Sequence, residues 1–401
     1  MQAPPDQGFV AALNALAATN PKATTTLSTA QPFPDKFLTA AASGTPPDLI
    51  FVVGGPTTVS FAAKQLIRNL DAYVQSSKVN PADFFSIAWQ LGEANGHRYS
   101  VQIEVDPNFP LVYNKALLQS FGIGKPPETI SALDDVNQKL FKKNGDTITR
   151  LGIYPPWRTS GSLNALLTYF VLFGGDYVAA NDPTKLAMTQ PGNVAALTWI
   201  KKYADQFGGY DAIEKFAATW GKQSWIDGMA NGYLALEPMV TPNYTQLVAA
   251  AKGGEFAGSF SLGVMPVADG VAPNPTWLSG WAMGMSTGTK RPDDAWNVIQ
   301  WMGATSEGTA TWAEISGFLP GFQKSAYYTK HADDPVLKLY LTLLQGSRHR
   351  YPTMLGWADI PGKAFDTLML DVVQGKTDIA TALQQFQTVA QAVLDKAKGS
   401  A

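Results

Sequence analysis

The sequence predicts an α/β protein with a mostly parallel sheet that carries helices on both faces. Short β-rich runs alternate with segments of helical periodicity through the first half of the chain. The last third is almost entirely helical in pattern. A length of 401 residues with 45% apolar content is enough for a large core and for two or three domains.

The elements of the first half follow from apolar spacing and from Gly and Pro positions. In chain order we predict a helix from Phe9 to Asn20, a strand over 23–27, a helix over 37–42, a buried strand over 48–53, a strand over 111–113 and helices over 115–121 and 130–141.

The second half contains more helix and fewer strands. In chain order we predict helices over 163–173, 193–207 and 224–231, strands over 234–236, 261–267 and 281–286, and a helix that begins at Pro292. The final helix shows an amphipathic stripe of Ile379, Leu383, Phe386, Val389 and Val393.

Charge and composition exclude several classes of function. The net charge is −2, so the chain lacks the basic field that holds nucleic acid. The chain contains no Cys, which excludes disulfides, thiolate metal sites and a Cys nucleophile. The three histidines, His97, His331 and His349, are far apart in sequence, and we expect neither a metal nor a cofactor.

Aromatic residues are abundant, with 11 Trp, 14 Tyr and 20 Phe. A sugar site combines flat aromatic faces with polar groups that bind hydroxyls. Four segments combine both types of residue, namely 106–109, 154–158, 237–244 and 277–281. The alternative, in which each Trp only fills a corner of the core, is equally open.

One catalytic motif matches by spacing. Gly284-Met285-Ser286-Thr287-Gly288 fits the G-x-S-x-G pattern, and His331 and His349 follow it. Lys290-Arg291-Pro292 delays the next helix, which argues against a tight nucleophile elbow at Ser286. A serine hydrolase therefore stays an alternative, and a glycosidase with paired carboxylates stays open as well.

An ordered set of segments between Phe9 and Lys398 resembles family 1 extracellular solute-binding proteins of the maltose-binding type. The resembling segments are Phe37 to Asp48 (the "ASG-x-x-PD" turn), Leu111 to Lys115 ("YYNK"), Gly174 to Asp176 ("GGD"), Trp225 to Gly232, Gly280 to Gly284 ("GGWGLAI"), Phe318 to Pro320 ("G-Y-L-P") and Val372 to Leu383.

The resemblance implies a two-lobed type II periplasmic-binding fold. Each lobe is then a mixed sheet flanked by helices, and the ligand cleft lies between the lobes. The expected N-terminal lobe comprises residues 1–110 plus 268–318, and the expected C-terminal lobe comprises 111–267 plus 319–401. We expect the chain to cross between the lobes near 109–113, 263–267 and 318–322.

The resemblance also implies a ligand site when it is carried over segment by segment. Met239 departs from the Trp that relatives carry at its position, and Gly55 is expected to let backbone approach the ligand. The complete set of expected ligand-binding residues is Gly55, Asp106, Asn108, Trp157, Arg158, Glu237, Met239, Gly280, Trp281 and Trp357.

The function implied is capture, without catalysis, of a mono- or oligosaccharide for an ABC importer. The expected partners are that sugar and the transmembrane subunits of the permease. We expect a monomer that is periplasmic or anchored at the cell surface as a lipoprotein. The same fold with another solute, such as a glycerol phosphodiester or a polyamine, is an alternative that the lack of clustered Lys and Arg disfavours.

The start of the chain departs from this family. Its members open with a central strand, typically "I-T-F-W", before the first helix. Here Gln7-Gly8 leads almost directly into the predicted helix. We therefore expect the opening strand to be absent or cut off.

Overall fold

The computed structural model places helices and strands along most of the chain. It describes residues 2–3, 14, 18, 28–29, 35–222, 224–273, 276–347 and 349–399. The predicted helix from Phe9 and the predicted strand over 23–27 lie outside these residues, apart from isolated positions.

The helices of the described residues are, in chain order, α1 (Asp35–Ala42), α2 (Pro56–Ala63), α3 (Asp71–Ser76), α4 (Ser86–Gln90), α5 (Lys115–Ser120), α6 (Ile130–Leu140), α7 (Ser162–Leu172), α8 (Pro191–Gln206), α9 (Tyr210–Ala217), α10 (Ser224–Ala230), α11 (Thr241–Ala250), α12 (Pro292–Ala304), α13 (Ser306–Ser316), α14 (Ala326–Lys330), α15 (Pro335–Gly346), α16 (Gly362–Val373) and α17 (Ile379–Gly399). Short 3-10 turns lie at Pro81–Asp83, Pro156–Arg158 and Trp357–Asp359.

The strands of the described residues are β1 (Gln2–Ala3), β2 (Ser28–Thr29), β3 (Leu49–Val53), β4 (Glu93–Ala94), β5 (His97–Arg98), β6 (Ser100–Gln102), β7 (Asp106–Asn108), β8 (Leu111–Asn114), β9 (Lys142–Asn144), β10 (Thr147–Arg150), β11 (Val178–Ala179), β12 (Asp182–Leu186), β13 (Leu236–Pro238), β14 (Phe260–Gly263), β15 (Trp277–Ser279), β16 (Trp281–Met285) and β17 (His349–Arg350).

The first sheet is mixed and has the strand order β2-β1-β3-β16-β6. The strands β3 and β6 both run antiparallel to β16, and β1 is parallel to β2 and β3. The expectation of a missing opening strand is wrong, because Gln2–Ala3 pairs between β2 and β3. Backbone pairing defines this two-residue strand, and its polar Gln gives no hydrophobic pattern by which to recognise it.

A second sheet consists of three antiparallel strands in the order β13-β8-β14, all from the middle of the chain. The strand predicted over 261–267 ends early, at Gly263. Pro266 has no N–H to contribute to a ladder, and Val267 forms only an isolated bridge with Thr129. A small third sheet, β17-β15-β7, lies where the chain passes between the other two.

Local sequence signals explain where many helices begin. The side chain of Asn114 accepts a hydrogen bond from the N–H of Leu117 at α5, and Thr129 does the same for Ala132 at α6. Pro292 occupies the first turn of α12, where a missing N–H has no cost. These signals confirm the predicted helix starts to within a few residues.

Buried apolar residues form separate clusters that define two core regions. Residues between 37 and 103 and between 282 and 322 surround the first sheet, and they are called the first core region here. Residues between 109 and 277 and between 354 and 394 form the second core region around the second sheet. A smaller cluster joins Phe85, Val105, Leu278 and Leu319 to α15, so this helix packs where the chain changes regions.

The final helix follows its predicted stripe with one exception. Leu383 and Phe386 are buried, but Val389 is 53% exposed. The buried positions beyond Phe386 are Ala390 and Leu394, because α17 continues at 3.6 residues per turn and the buried face moves away from Val389.

Candidate functional site

The predicted polar residues of β7 are buried in the third sheet. Asp106 pairs with Ser279, and Asn108 pairs with Trp277. The Nδ2 atom of Asn108 donates to the Asp106 carbonyl at 3.0 Å and to Oγ of Ser279 at 2.7 Å. These bonds fix the Asn108 side chain at the junction between the two core regions.

Trp157 and Arg158 share one carboxylate. The indole Nε1 of Trp157 donates to Oε1 of Glu214 at 2.8 Å, and Nη1 of Arg158 donates to Oε2 at 2.7 Å. Burial alone lowers the pKa of Arg158, but the Tyr154 hydroxyl and the Glu214 carboxylate outweigh burial and raise it. The guanidinium is therefore held in place and charged.

Glu237 lies beside this group because the segment before Trp157 runs along β13. The N–H of Tyr154 donates to the carbonyl of Leu236 at 2.9 Å. Glu237 is 2% exposed, and its Oε2 has no hydrogen-bond partner within the described residues. Burial raises the pKa of Glu237 well above its ordinary value, and the charge of Arg158 opposes this rise only in part.

Met239 follows β13 and is buried. Its N–H donates to the carbonyl of Pro110 at 3.1 Å, so this position is tied to the start of β8. The indole Nε1 of Trp220 is also buried and has no partner among the described residues, and the Trp220 ring lies 6.0 Å from that of Tyr154.

The predicted residues of the first core region lie at the ends of β3 and β16. The Trp281 ring stacks on Phe51 at 5.1 Å with a 9° interplanar angle. Gly280 has φ 151°, and a Cβ there would lie 2.2 Å from the Glu104 carbonyl oxygen, so only glycine fits. Gly55 has φ 89°, and a Cβ there would meet Tyr351 O at 3.4 Å, which places Gly55 against the segment that precedes Trp357.

Trp357 occupies a core position in the second region. Its ring lies 5.3 Å from that of Tyr177 and 5.6 Å from that of Phe365. The structure therefore brings Trp157, Arg158 and Glu237 together, places Asp106 and Asn108 at the junction, and keeps Trp281, Gly280 and Gly55 on the other side.

The comparisons with known proteins decide the class of this chain. A family profile described as "Bacterial extracellular solute-binding protein" matches residues 11–338, most of the sequence. The chain belongs to this family. Its members are binding proteins that act outside the cytoplasm of bacteria, in agreement with the resemblance found in the sequence.

Solved structures share the fold of this solute-binding protein over almost its whole length. The mannotriose-bound structure of CpMnBP1 has a TM-score of 0.80 at 23% identity and covers 97% of this chain and 98% of that one. The sugar-binding protein MalE of Xanthomonas citri has a TM-score of 0.81 at 21% identity, with 99% and 97% covered. The predicted two-lobed type II fold is confirmed by these similarities.

A curated relative matches a shorter stretch. An uncharacterised ABC transporter extracellular-binding protein of Pyrococcus horikoshii is 28% identical over 188 residues. The match covers 44% of this chain and 38% of that protein, so it spans well under half the relative's length.

The two core regions of the solute-binding protein meet along a seam that the sequence analysis did not identify. Lys64 pairs with Asp359 at 2.9 Å, and Nη1 of Arg350 donates to Oε1 of Gln90. A cavity of about 470 Å³ opens beside these contacts. Its lining includes Val59, Gln90, Glu93 and Asn95 from one side and Thr184, Arg350, Thr353, Met354 and Lys398 from the other.

None of the ten predicted ligand residues lines this cavity. The signal that could have found Arg350 is a second aromatic, cationic and proline segment, Arg350-Tyr351-Pro352, which resembles the pattern of 154–158. Gln90 carries no such signal, because its position at the seam depends on the packing of α4.

The contacts of Ser286, His331 and His349 do not support the alternative of a serine hydrolase. Ser286 is 1% exposed, and its Oγ accepts from the N–H of Gly288. His331 bonds to Glu314 at 2.7 Å, and the nearest carboxylate of His349 is Asp176 at 3.6 Å. Both histidines thus face other partners, whereas a triad needs a direct bond from the serine to the base.

The described residues offer no group of three His, Asp or Glu side chains that could hold a metal ion. In the same part of the chain, no helix combines the length and the apolar character that crossing a membrane requires.

Proposed function

We propose that this solute-binding protein captures a carbohydrate between two lobes and delivers it to the transmembrane subunits of an ABC importer. The observation that carries the proposal is the fold shared over nearly the whole chain with CpMnBP1, solved with mannotriose, and with the sugar-binding MalE. Other neighbours of the same fold were solved with tagatose and with cycloalternan.

The two lobes of the proposal correspond to the two core regions. We adjust one of the expected lobe boundaries, which were 1–110 with 268–318 for one lobe and 111–267 with 319–401 for the other. The N–H of Ala268 donates to the carbonyl of Leu172 at 2.9 Å, so in this proposal Ala268 belongs with the second region. We therefore assign the second crossing to residues 276–280, and keep the first and third near 109–113 and 318–322.

The ligand is proposed to contact residues from both regions. On the second region, the Trp157 ring supplies an apolar face, while Arg158 and the unpaired Oε2 of Glu237 supply a donor and an acceptor for hydroxyls. On the first region, Trp281 supplies a second aromatic face near Gly280 and Gly55. Asp106, Asn108, Met239 and Trp357 complete the proposed set.

Closure of the lobes is the proposed mechanism of capture. The bonds of Lys64 to Asp359 and of Arg350 to Gln90 exist only while the two regions are in contact. Sugar bound to both regions adds further contacts to this arrangement and shifts the population toward it. The joined regions then present one continuous surface to the permease.

The proposal extends to the state of the protein in the cell. We propose a monomer that is periplasmic or attached to the cell surface as a lipoprotein, with binding and no catalysis as its activity. A glycerol phosphodiester or a polyamine is the alternative ligand class on the same fold.

Calorimetric titration with mannotriose, maltose, tagatose and cycloalternan tests the proposal. Saturable binding of at least one sugar at one site per chain is the expected result. Binding of spermidine or glycerophosphocholine in place of every sugar would overturn the carbohydrate assignment. Turnover of a generic ester that is lost in Ser286→Ala would overturn the assignment as a binding protein.

A further inference from the structure

Gln102 ends strand β6 with an amide that is buried and unpaired. Its side chain is 2% exposed, and neither Oε1 nor Nε2 has a hydrogen-bond partner within the described residues. A buried amide without partners is unfavourable, since it has lost its bonds to water and gained none. Such groups in native proteins call for an explanation, and a ligand is one.

The amide lies at the edge of the first sheet where a ligand is expected. The strands β3 and β6 run in the same direction, so Gly54, directly after β3, and Gln102 share one carboxyl edge. Ligands of open α/β sheets bind outside the carboxyl ends of strands. A Cβ on Gly54 would lie 2.3 Å from Oε1 of Gln102, so the amide lies directly on the backbone of this glycine.

Gly55, the residue next to Gly54, lies against the second core region. Gly55 carries no side chain, and a Cβ there would lie 3.4 Å from Tyr351 O and 3.5 Å from Cγ2 of Thr353, both on the second core region. Val59, one turn into α2, lines the 470 Å³ cavity together with Thr353. Separation of the two regions would remove Tyr351 and Thr353 from Gly55.

We infer that the Gln102 amide binds two adjacent hydroxyl groups of the ligand, with Oε1 accepting from one and Nε2 donating to the other. The inference rests on the proposed carbohydrate function and adds a residue that the sequence analysis did not identify. One acceptor and one donor in a rigid plane complement a vicinal diol, which sugars present repeatedly. Because Gly54 and Gln102 belong to the same sheet, binding through Gln102 would require the turn at Gly54 and Gly55 to move away from the amide once the lobes are open.

Asn137 provides a matched control. It is also a buried amide with neither side-chain atom paired in the described part of the chain, and a Cβ on Gly152 would lie 2.3 Å from its Oδ1. Asn137 lies in α6, inside the second core region, and packs with Leu133 and Leu140 on the buried face of that helix. An apolar replacement there removes the same kind of unpaired group without touching the seam.

The experiment compares affinity and stability in three variants. Gln102→Met keeps the length of the side chain, Gln102→Leu is a second replacement, and Asn137→Leu is the control. Each variant and the wild type are titrated by calorimetry with mannotriose, maltose, tagatose and cycloalternan, and each is melted without sugar. All three variants are expected to have a Tm equal to or above that of the wild type. Only the two Gln102 variants are expected to have a higher Kd for sugar, by about tenfold for two lost hydrogen bonds.

The outcomes separate this inference from the proposed function. If the wild type binds none of the four sugars, the proposed function fails and the inference fails with it. If the wild type binds sugar and either folded Gln102 variant binds it with unchanged Kd, the inference alone is overturned. An equal loss of affinity in Asn137→Leu also overturns it, because the effect would then belong to core packing.

Discussion

The ammonium group of Lys64 lies 2.9 Å from Oδ1 of Asp359, and this ion pair connects the two core regions. Lys64 directly follows α2, and Asp359 ends the 3-10 turn that begins at Trp357. Both side chains are well exposed, 48% and 40%, so water screens their attraction. The pair therefore orients the two regions with only a small contribution to stability.

We predict a coupling free energy of about 0.2–1 kcal/mol between Lys64 and Asp359. It is measured by a double-mutant cycle of Lys64→Ala and Asp359→Ala in chemical unfolding. The coupling should fade in about 1 M NaCl, where the Debye length falls to about 3 Å. Lys363→Ala, an exposed lysine of the neighbouring α16, serves as the control and should show no coupling with Asp359→Ala. A coupling that persists at high salt would contradict the screening argument.

The buried carboxyl of Glu237 predicts a pH dependence of stability. Burial raises its pKa well above the ordinary value of 4.5. As pH rises above that value, the Glu237 carboxyl releases its proton in the unfolded chain but keeps it in the folded protein. The free energy of unfolding therefore falls with rising pH, until the pH passes the pKa of Glu237 in the folded protein. Glu237→Gln removes this loss, and its Tm should exceed that of the wild type at about pH 7.

The advantage of Glu237→Gln should shrink as pH falls toward the ordinary carboxyl range, because both states of the wild type are then protonated. Thermal melts from about pH 4 to pH 8 measure the trend. The exposed Glu255→Gln is the control and should follow the wild type. A Tm difference that grows at low pH would show that Glu237 is ionised in the folded protein.

Much of the fold was predictable from local sequence. The apolar run that forms β3, Leu49–Val53, and the Pro292 start of α12 are decided by residues within a few positions of each other. The opening strand Gln2–Ala3 was not predictable, because its only determinants are backbone bonds to Ser28, Thr29 and Ile50. Pairing over such separations leaves no trace in local composition.

The candidate site was predictable in its residue types and less so in its contacts. The sequence indicated Trp157, Arg158 and Glu237, but it carries no sign that Glu214, 57 positions from Trp157, binds the first two. Gln102 was missed for a related reason. A single Gln in a strand is unremarkable until the fold places it, unpaired, against Gly54.

The carboxylate of Glu214 is predicted to stabilise the protein. Glu214→Ala leaves the buried Trp157 N–H and the guanidinium of Arg158 without this acceptor. Hydrogen bonds to a charged group contribute about 1.5–3 kcal/mol each, and partial exposure of Arg158 reduces its share. We expect a loss of about 2–3 kcal/mol in chemical unfolding. Glu255→Ala should change little, and an equal loss in both variants would contradict a specific role for Glu214.

The stacked pair of Trp281 and Phe51 gives the last prediction. Trp281 is proposed to present its outer face to sugar while its inner face lies on Phe51 at 5.1 Å. Trp281→Ala should weaken sugar binding by about 1–3 kcal/mol, the range for a lost stacking contact, and Trp281→Phe should retain part of the affinity. Trp301→Ala is the matched control, because Trp301 is partly buried against the same cluster of the first core region. Calorimetry with a bound sugar measures all three variants. Equal losses in Trp281→Ala and Trp301→Ala would mean that the core, and not the aromatic face, determines affinity.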